Sequence, residues 1–209
     1  RINEYSPYAD AKAGGGKGDR YLDWLIGTVK PLVDARFRTR TERPCTGMVG
    51  SSMGGLIALY GFLRDPDVFG FVGALSPSLW FAGRRIFTKL ETSPFVGGRI
   101  YLDIGRREGK VALDDAQRMR DALVGKGYVL GRDLRWVEDP TGRHTETDWG
   151  RRRADADRLL AEGGEDCVLE TDRGLLSRVI VNMVRNALEA TPAGGTVTIG
   201  CGREADGVR

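Results

Sequence analysis

Val49-Gly50-Ser51-Ser52-Met53-Gly54-Gly55 constrains this chain more than any other stretch, because its residue types make sense together only around one exposed serine. An apolar run, residues 45–49, precedes it, and a helix-like run, residues 56–63, follows. A G-x-S-x-G match set between a strand and a helix reads as a nucleophile elbow, a sharp turn that lifts a serine hydroxyl past the sheet edge. Gly50 and Gly54 flank Ser52 at the two positions where a side chain is expected to collide with neighbouring backbone. Ser52 is expected in a strained conformation, with Ser51 facing away. The backbone N–H of Met53, next after the serine, is the candidate oxyanion donor.

A serine hydroxyl is a poor nucleophile at neutral pH and needs a base to take its proton. The chain holds a single histidine, His144. It lies in a Pro/Gly-punctuated loop, residues 139–146, after the alternating strand-like run 133–138. A solvated loop histidine is the commonplace alternative; position and uniqueness point to the base. The third member should be a carboxylate that orients the imidazole. Residues 99–105 read as a buried strand, which places Glu108 just past its carboxyl end. Asp103 is the rival, but it lies inside the strand. Asp114 and Asp115 fit the start of a helix over residues 112–124, where acids favour the helix dipole. The chain order Ser52, Glu108, His144 is the nucleophile–acid–histidine order of α/β-hydrolases.

Residues from about 3 to 149 also resemble the putative-esterase family of α/β-hydrolases, which includes enterochelin-esterase-like enzymes, feruloyl esterases and S-formylglutathione hydrolase. The resembling pieces are Asn3-Glu4-Tyr5-Ser6-Pro7, Gly18-Asp19-Arg20-Tyr21-Leu22-Asp23-Trp24-Leu25, Lys30-Pro31-Leu32-Val33-Asp34 and the elbow. They continue with Ala74-Leu75-Ser76-Pro77-Ser78-Leu79-Trp80, Gly105-Arg106-Arg107-Glu108, and Gly142-Arg143-His144-Thr145-Glu146 followed by Trp149. The resemblance implies an α/β fold, a mostly parallel sheet flanked by helices, and a carboxylesterase-type ester hydrolase. It supports Ser52, His144 and Glu108 by motif position. Trp80 and Phe81 are candidate acyl-pocket walls, with a core role equally open. Such enzymes carry several strands before the point where this chain begins, one of them leading to the loop with the second oxyanion donor. The chain starts at Arg1 without a charged-then-apolar leader, so missing amino-terminal strands are the expectation.

Past Trp149 the character changes. Residues 161–166 form a polar, glycine-containing break. A short strand is expected at 167–170, then a helix over about 174–190, with apolar residues at three- and four-residue intervals from Leu175 to Leu188. Another strand is expected at 196–201. Asn182-Met183-Val184-Arg185-Asn186-Ala187-Leu188-Glu189-Ala190-Thr191-Pro192 resembles the N-box of the histidine-kinase type of ATP-binding domain, a Bergerat-type fold. In that family the asparagine matching Asn186 helps hold Mg²⁺, and Asn182 lies four residues away on the same helix face. The adenine-binding Asp-x-Gly-x-Gly segment and the glycine-rich lid do not occur in the sequence, so ATP binding is expected to be absent or very weak. The expected domains are an esterase segment over residues 1–160 and a β-α-β ATPase fragment over 161–209.

Composition adds exclusions. Lys and Arg total 32 against 29 Asp and Glu, a net charge of +3, with no sustained basic stripe for nucleic acid. The one run, Arg151 to Arg153, reads as a solvated helix edge. Three cysteines, an odd number without metal spacing, argue against a disulfide framework. No apolar stretch approaches the roughly 18 residues of a membrane span. Residues 13–18, rich in glycine, lack the G-K-[ST] ending of a P-loop and read as a flexible loop. The expectation is a cytoplasmic serine esterase acting on a small-molecule ester, without cofactor, metal, nucleic-acid or membrane partner. Self-association through incomplete cores is expected. The alternatives are a kinase-type ATP-binding fragment and a non-catalytic chimeric remnant.

Overall fold

The computed structural model describes residues 2–37, 39–162, 203–204 and 207–208. The chain divides into two units, Arg1–Cys167 and Val168–Arg209. The first begins with a small antiparallel pair, Ala9–Asp10 (β1) and Gly14–Gly15 (β2). The N–H groups of Gly16 and Gly18 donate to the Ser6 carbonyl. The glycine-rich stretch expected as a flexible loop is therefore a hydrogen-bonded turn. Helix α1, Gly18–Trp24, continues through a wider-turned stretch, Leu25–Val29, into α2, Lys30–Arg36. Pro31 accounts for the widening: it has no N–H to offer, and its ring would strike the carbonyl four residues back in a regular helix. The Lys30 N–H reaches the Leu25 carbonyl, five residues back.

The framework of the unit is a four-stranded parallel sheet in the order β3-β4-β5-β6, formed by Gly47–Ser51, Phe71–Leu75, Arg99–Gly105 and Leu134–Asp139. Parallel neighbours need long crossovers. These are α3 (Met53–Arg64), α4 (Phe81–Thr92) and α5 (Lys110–Lys126), and α6 (Glu146–Glu162) follows β6. Among the described residues β3 is an outer strand, part-exposed along its length, whereas β4 and β5 are buried almost throughout. The two-residue alternation of the strands sorts the core onto the two sheet faces. Val72, Ala74, Ile100, Leu102 and Ile104 pack with Leu56, Phe62, Ile86, Leu90, Met119 and Leu123 of α3, α4 and α5. Leu75 and Tyr101 pack with Ala156 of α6, joined by Val49, Val137 and Trp149. Helix α6 thus covers the opposite face from α3 to α5.

Two local expectations shift. Helix α5 starts at Lys110, so Asp114 pairs with Lys110 and Asp115, nearly buried, takes Arg84 of α4 at 2.7 Å. Cys45 is disulfide-bonded, where the odd cysteine count gave no reason to expect a disulfide framework. No helix among the described residues is long and apolar enough to cross a membrane. In the second unit, Arg203–Glu204 (β7) pairs antiparallel with Gly207–Val208 (β8). The expected strands at 167–170 and 196–201, and the helix with Asn182 and Asn186, lie outside the described residues.

The turn from β3 into α3 explains one of its two glycines. A Cβ on Gly50 would overlap the Gly54 carbonyl group and stand 2.9 Å from its Cα. A Cβ on Gly54 would meet nothing within 4 Å, which corrects the expectation that both positions exclude a side chain. Gly50→Ala should therefore cost about 1–3 kcal/mol, as overpacking against fixed backbone does. Gly54→Ala should be neutral or slightly stabilising, since alanine favours helix. Urea midpoints of the two variants check this; equal midpoints would remove the close approach as the reason for Gly50.

Candidate active site

Ser52 caps α3 with φ 55° and ψ −120°, a left-handed backbone that L-residues rarely adopt. The strain is held by bonds on both sides. The Ser52 N–H donates to Leu75 O at 2.9 Å, and the Ser52 carbonyl accepts from the N–H groups of Leu56 and Ser78. Its hydroxyl lies 3.2 Å from the Ser78 hydroxyl and 2.9 Å from His144 Nε2. Met53 opens α3, so its N–H belongs to the first helical turn, where amides lack intrahelical partners.

His144 sits on the loop between β6 and α6. At the loop's start Asp139 closes an Asx turn, accepting at 3.0 Å from both the N–H and the hydroxyl of Thr141. Burial works against its charge, but these bonds and the Arg151 guanidinium hold the Asp139 carboxyl down at about 2. At the loop's end Thr145 caps α6, accepting the Asp148 N–H, while Asp148 accepts the Arg143 N–H. The imidazole stands edge-on to Trp149, with ring centroids 4.7 Å apart.

Glu108 ends a single tight turn, Arg106–Glu108, that leaves β5. Its Oε2 lies 2.7 Å from His144 Nδ1. The carboxylate is 1% exposed and the imidazole 46%, so the acid is enclosed and the base reaches solvent. Oε1 accepts from the Gly105 N–H at 2.8 Å, the Ser76 hydroxyl at 2.6 Å and Arg152 at 3.2 Å. Burial pushes the Glu108 carboxyl up, but the bonds from His144, Ser76 and Gly105 outweigh it and hold the group below the usual carboxylate range. The acid turn and the histidine loop touch directly: the Arg107 N–H donates to Gly142 O at 3.0 Å. Only glycines permit the approach. A Cβ on Gly105 would overlap Gly142 O, and one on Gly142 would strike the Arg152 guanidinium.

The structure thus brings Ser52, His144 and Glu108 into one hydrogen-bonded row at the carboxyl ends of β3, β6 and β5. It places Asp103 elsewhere, fully buried and accepting from the Ser76 N–H, Tyr101 and Arg152. Burial pushes its carboxyl up, with Arg152 and the hydrogen bonds opposing. Phe81 joins the core, whereas Trp80 is half exposed. Asn182 and Asn186 are not among the described residues. Among the described residues no three of His, Cys, Asp and Glu are grouped to hold a metal ion.

Sequence reasoning missed Ser76, Ser78 and Arg152. The last corrects the reading of Arg151 to Arg153 as a solvated edge, because Arg152 is 3% exposed. A signal was present: Arg152 follows Trp149 by three residues, the spacing of one helix face.

Comparison with known proteins gives the family. The family model described as Putative esterase matches residues 2–152. The uncharacterized protein YbbA of Bacillus subtilis is 29% identical over 142 residues, covering 62% of this chain and 57% of that protein. Iron(III) salmochelin esterase of Escherichia coli is 30% identical over 145 residues, covering 58% of this chain but 35% of the esterase. The chain therefore spans little more than half, or less, of these relatives' length. Among solved structures, the enterobactin esterase from Shigella flexneri in the presence of enterobactin aligns with TM-score 0.60 at 25% identity, over 76% of this chain and 37% of that one. An IroE-like serine hydrolase from Shewanella oneidensis aligns with TM-score 0.64 at 18% identity, over 92% and 66%, a likeness of fold. The match across residues 2–152, on a parallel α/β sheet that carries the serine elbow, makes this chain a member of the Putative esterase family.

Proposed function

We propose that the chain is a serine carboxylic-ester hydrolase working through Ser52, His144 and Glu108. The observation that carries this reading is the row Ser52 Oγ–His144 Nε2–Glu108 Oε2, with links of 2.9 and 2.7 Å. Glu108 accepts the Nδ1–H hydrogen bond and so fixes the tautomer in which Nε2 is free to take the Ser52 proton as Oγ attacks the ester carbonyl. The tetrahedral oxyanion forms beside the Met53 N–H, a donor fixed in direction by the helix start. The imidazolium then returns its proton to the leaving alkoxide, and water, deprotonated by the same nitrogen, releases the acyl group. The Ser78 hydroxyl, beside Ser52 Oγ, helps hold the nucleophile's rotamer.

The substrate class we propose is the ester bond of siderophores. Salmochelin esterase supports it, as does the siderophore enterobactin esterase of Emericella nidulans, 33% identical over 93 residues, 44% of this chain and 29% of that one. The half-exposed Trp80, two residues past Ser78, would wall the acyl site. For residues 161–209 the N-box likeness of 182–192 rests on sequence alone and supports no nucleotide chemistry beside the esterase.

Turnover of a short-chain nitrophenyl ester and labelling by a fluorophosphonate probe test the reading. Both should vanish in Ser52→Ala; labelling at parental strength in that variant would move the nucleophile elsewhere. Glu108→Gln should cost around 10⁴-fold in turnover, since the amide keeps the shape and loses the charge that stabilises the imidazolium. Asp103→Asn should cost far less, and the reverse ranking in folded proteins would transfer the acid role.

The pH profile follows from the same groups. Glu108, its carboxyl held low, stays charged from about pH 5 to 8, where histidine is the side chain that ordinarily changes charge. Protonation of Glu108 should therefore not limit turnover anywhere in that window. Turnover that falls in step with protonation of Glu108 there would count against its role.

A further inference from the structure

Behind Glu108 lies a buried cation that the proposed reaction does not use. Arg152 projects from α6 onto the sheet face that carries Tyr101 and Leu75. Its guanidinium meets three carboxylates and a hydroxyl. Nε donates to Asp103 Oδ2 at 3.0 Å and Nη1 to Asp139 Oδ2 at 3.4 Å. Nη2 donates both to Ser76 Oγ at 2.7 Å and to Glu108 Oε1 at 3.2 Å. Ser76 in turn donates its hydroxyl hydrogen bond to the same Oε1.

This is more than a buried ion pair requires. Asp103 alone would neutralise the guanidinium, yet one arm of the fork is turned to Ser76 and Glu108. The terminal torsion of a glutamate is broad and nearly two-fold. Three donors on Oε1 from three directions (the Gly105 backbone, Ser76 and Arg152) leave one orientation, with Oε2 toward Nδ1. An arginine also remains charged at every working pH. Its charge offsets the Glu108 carboxylate and weakens the hold of that carboxylate on the imidazolium. A base that must return its proton to a leaving group works best when its affinity for the proton is not excessive.

We infer that Arg152 is a positioning residue of the esterase site, pinning Glu108 through Oε1 and setting through it how readily His144 releases its proton. The inference rests on the Ser52–His144–Glu108 reading. The charged and titratable groups around the pair come from every packed element. Strand β5 gives Tyr101 and Asp103, and its following turn gives Arg106, bound to Glu138. The end of β6 gives Asp139, and α6 gives Asp148, bound to Arg151, besides Arg152. Of the cations, Arg152 is the one hydrogen-bonded to Glu108 among the described residues.

The single histidine makes the test direct, because an imidazole NMR titration of the full chain reports His144 and nothing else. In Arg152→Met the titration midpoint should rise by about half to one pH unit, the size of one nearby charge at intermediate dielectric. The acid limb of kcat/KM should move by the same amount. Arg152→Lys keeps the charge and should titrate close to the parent. A folded Arg152→Met with the parental midpoint overturns the inference, and so does a lysine variant that titrates like the methionine one. Should Arg152→Met not fold, Asp103→Asn is compared with Asp103→Asn/Arg152→Met, where no Asp103 charge is stranded; equal midpoints there overturn it too. The titration needs no substrate, so a parent protein without ester turnover or probe labelling sinks the esterase reading separately.

Discussion

Five parts of this fold meet at one guanidinium. Arg152 binds the end of β4 through Ser76, β5 through Asp103, the turn after β5 through Glu108 and the end of β6 through Asp139, all from α6. Taking several charges out of water costs several kcal/mol per ion, and only near-complete hydrogen bonding offsets that cost. Such a cluster has no favourable half-formed state. Helix α6 therefore docks with its apolar contacts, Trp149 and Ala156, and its polar contacts made together. The cluster sits directly beneath the row Ser52–His144–Glu108, so the packing of α6 bears on how that row is held.

The other side of the site depends on packing instead of charge. Ser52 holds an unfavourable backbone conformation, which persists only where its surroundings over-determine it. Those surroundings are α3, buried from Gly55 to Leu63, and the backbone bonds to Leu75, Leu56 and Ser78. An apolar layer on one face of the sheet thus fixes Ser52, while an ionic layer on the other fixes Glu108. Histidine spans the two and is the most exposed of the three.

What the sequence made legible follows from this division. The elbow was readable because its glycine and serine sit within a few residues of each other, between a strand and a helix with clear patterns. The juxtaposition of Glu108 and His144 was readable because each lies just beyond a strand and the chain holds one histidine. Arg152 was not, since choosing among three successive arginines requires the phase of α6 against the sheet. That phase is set by the Thr145 cap and by Trp149 and Ala156. The contribution of Ser76 arises from a left-handed residue, φ 41°, after β4, which no pattern marks. Gly54 shows the converse error, in which a motif position was given a steric reason that belongs to its partner Gly50.

The bond from Arg107 to Gly142, made between two glycine-thinned backbones, joins the turn bearing Glu108 to the loop bearing His144. Those two side chains are consequently carried by one block, anchored on the adjacent strands β5 and β6. Ser52 rides on β3, two strands from β5 and at the sheet's margin among the described residues. Were the sheet to flex or change twist, Glu108 and His144 would travel together with little change in their separation. The distortion collects in the single gap between imidazole and serine. Mechanical noise in this scaffold would thereby fall on the one distance across which, in the proposed reaction, a proton passes.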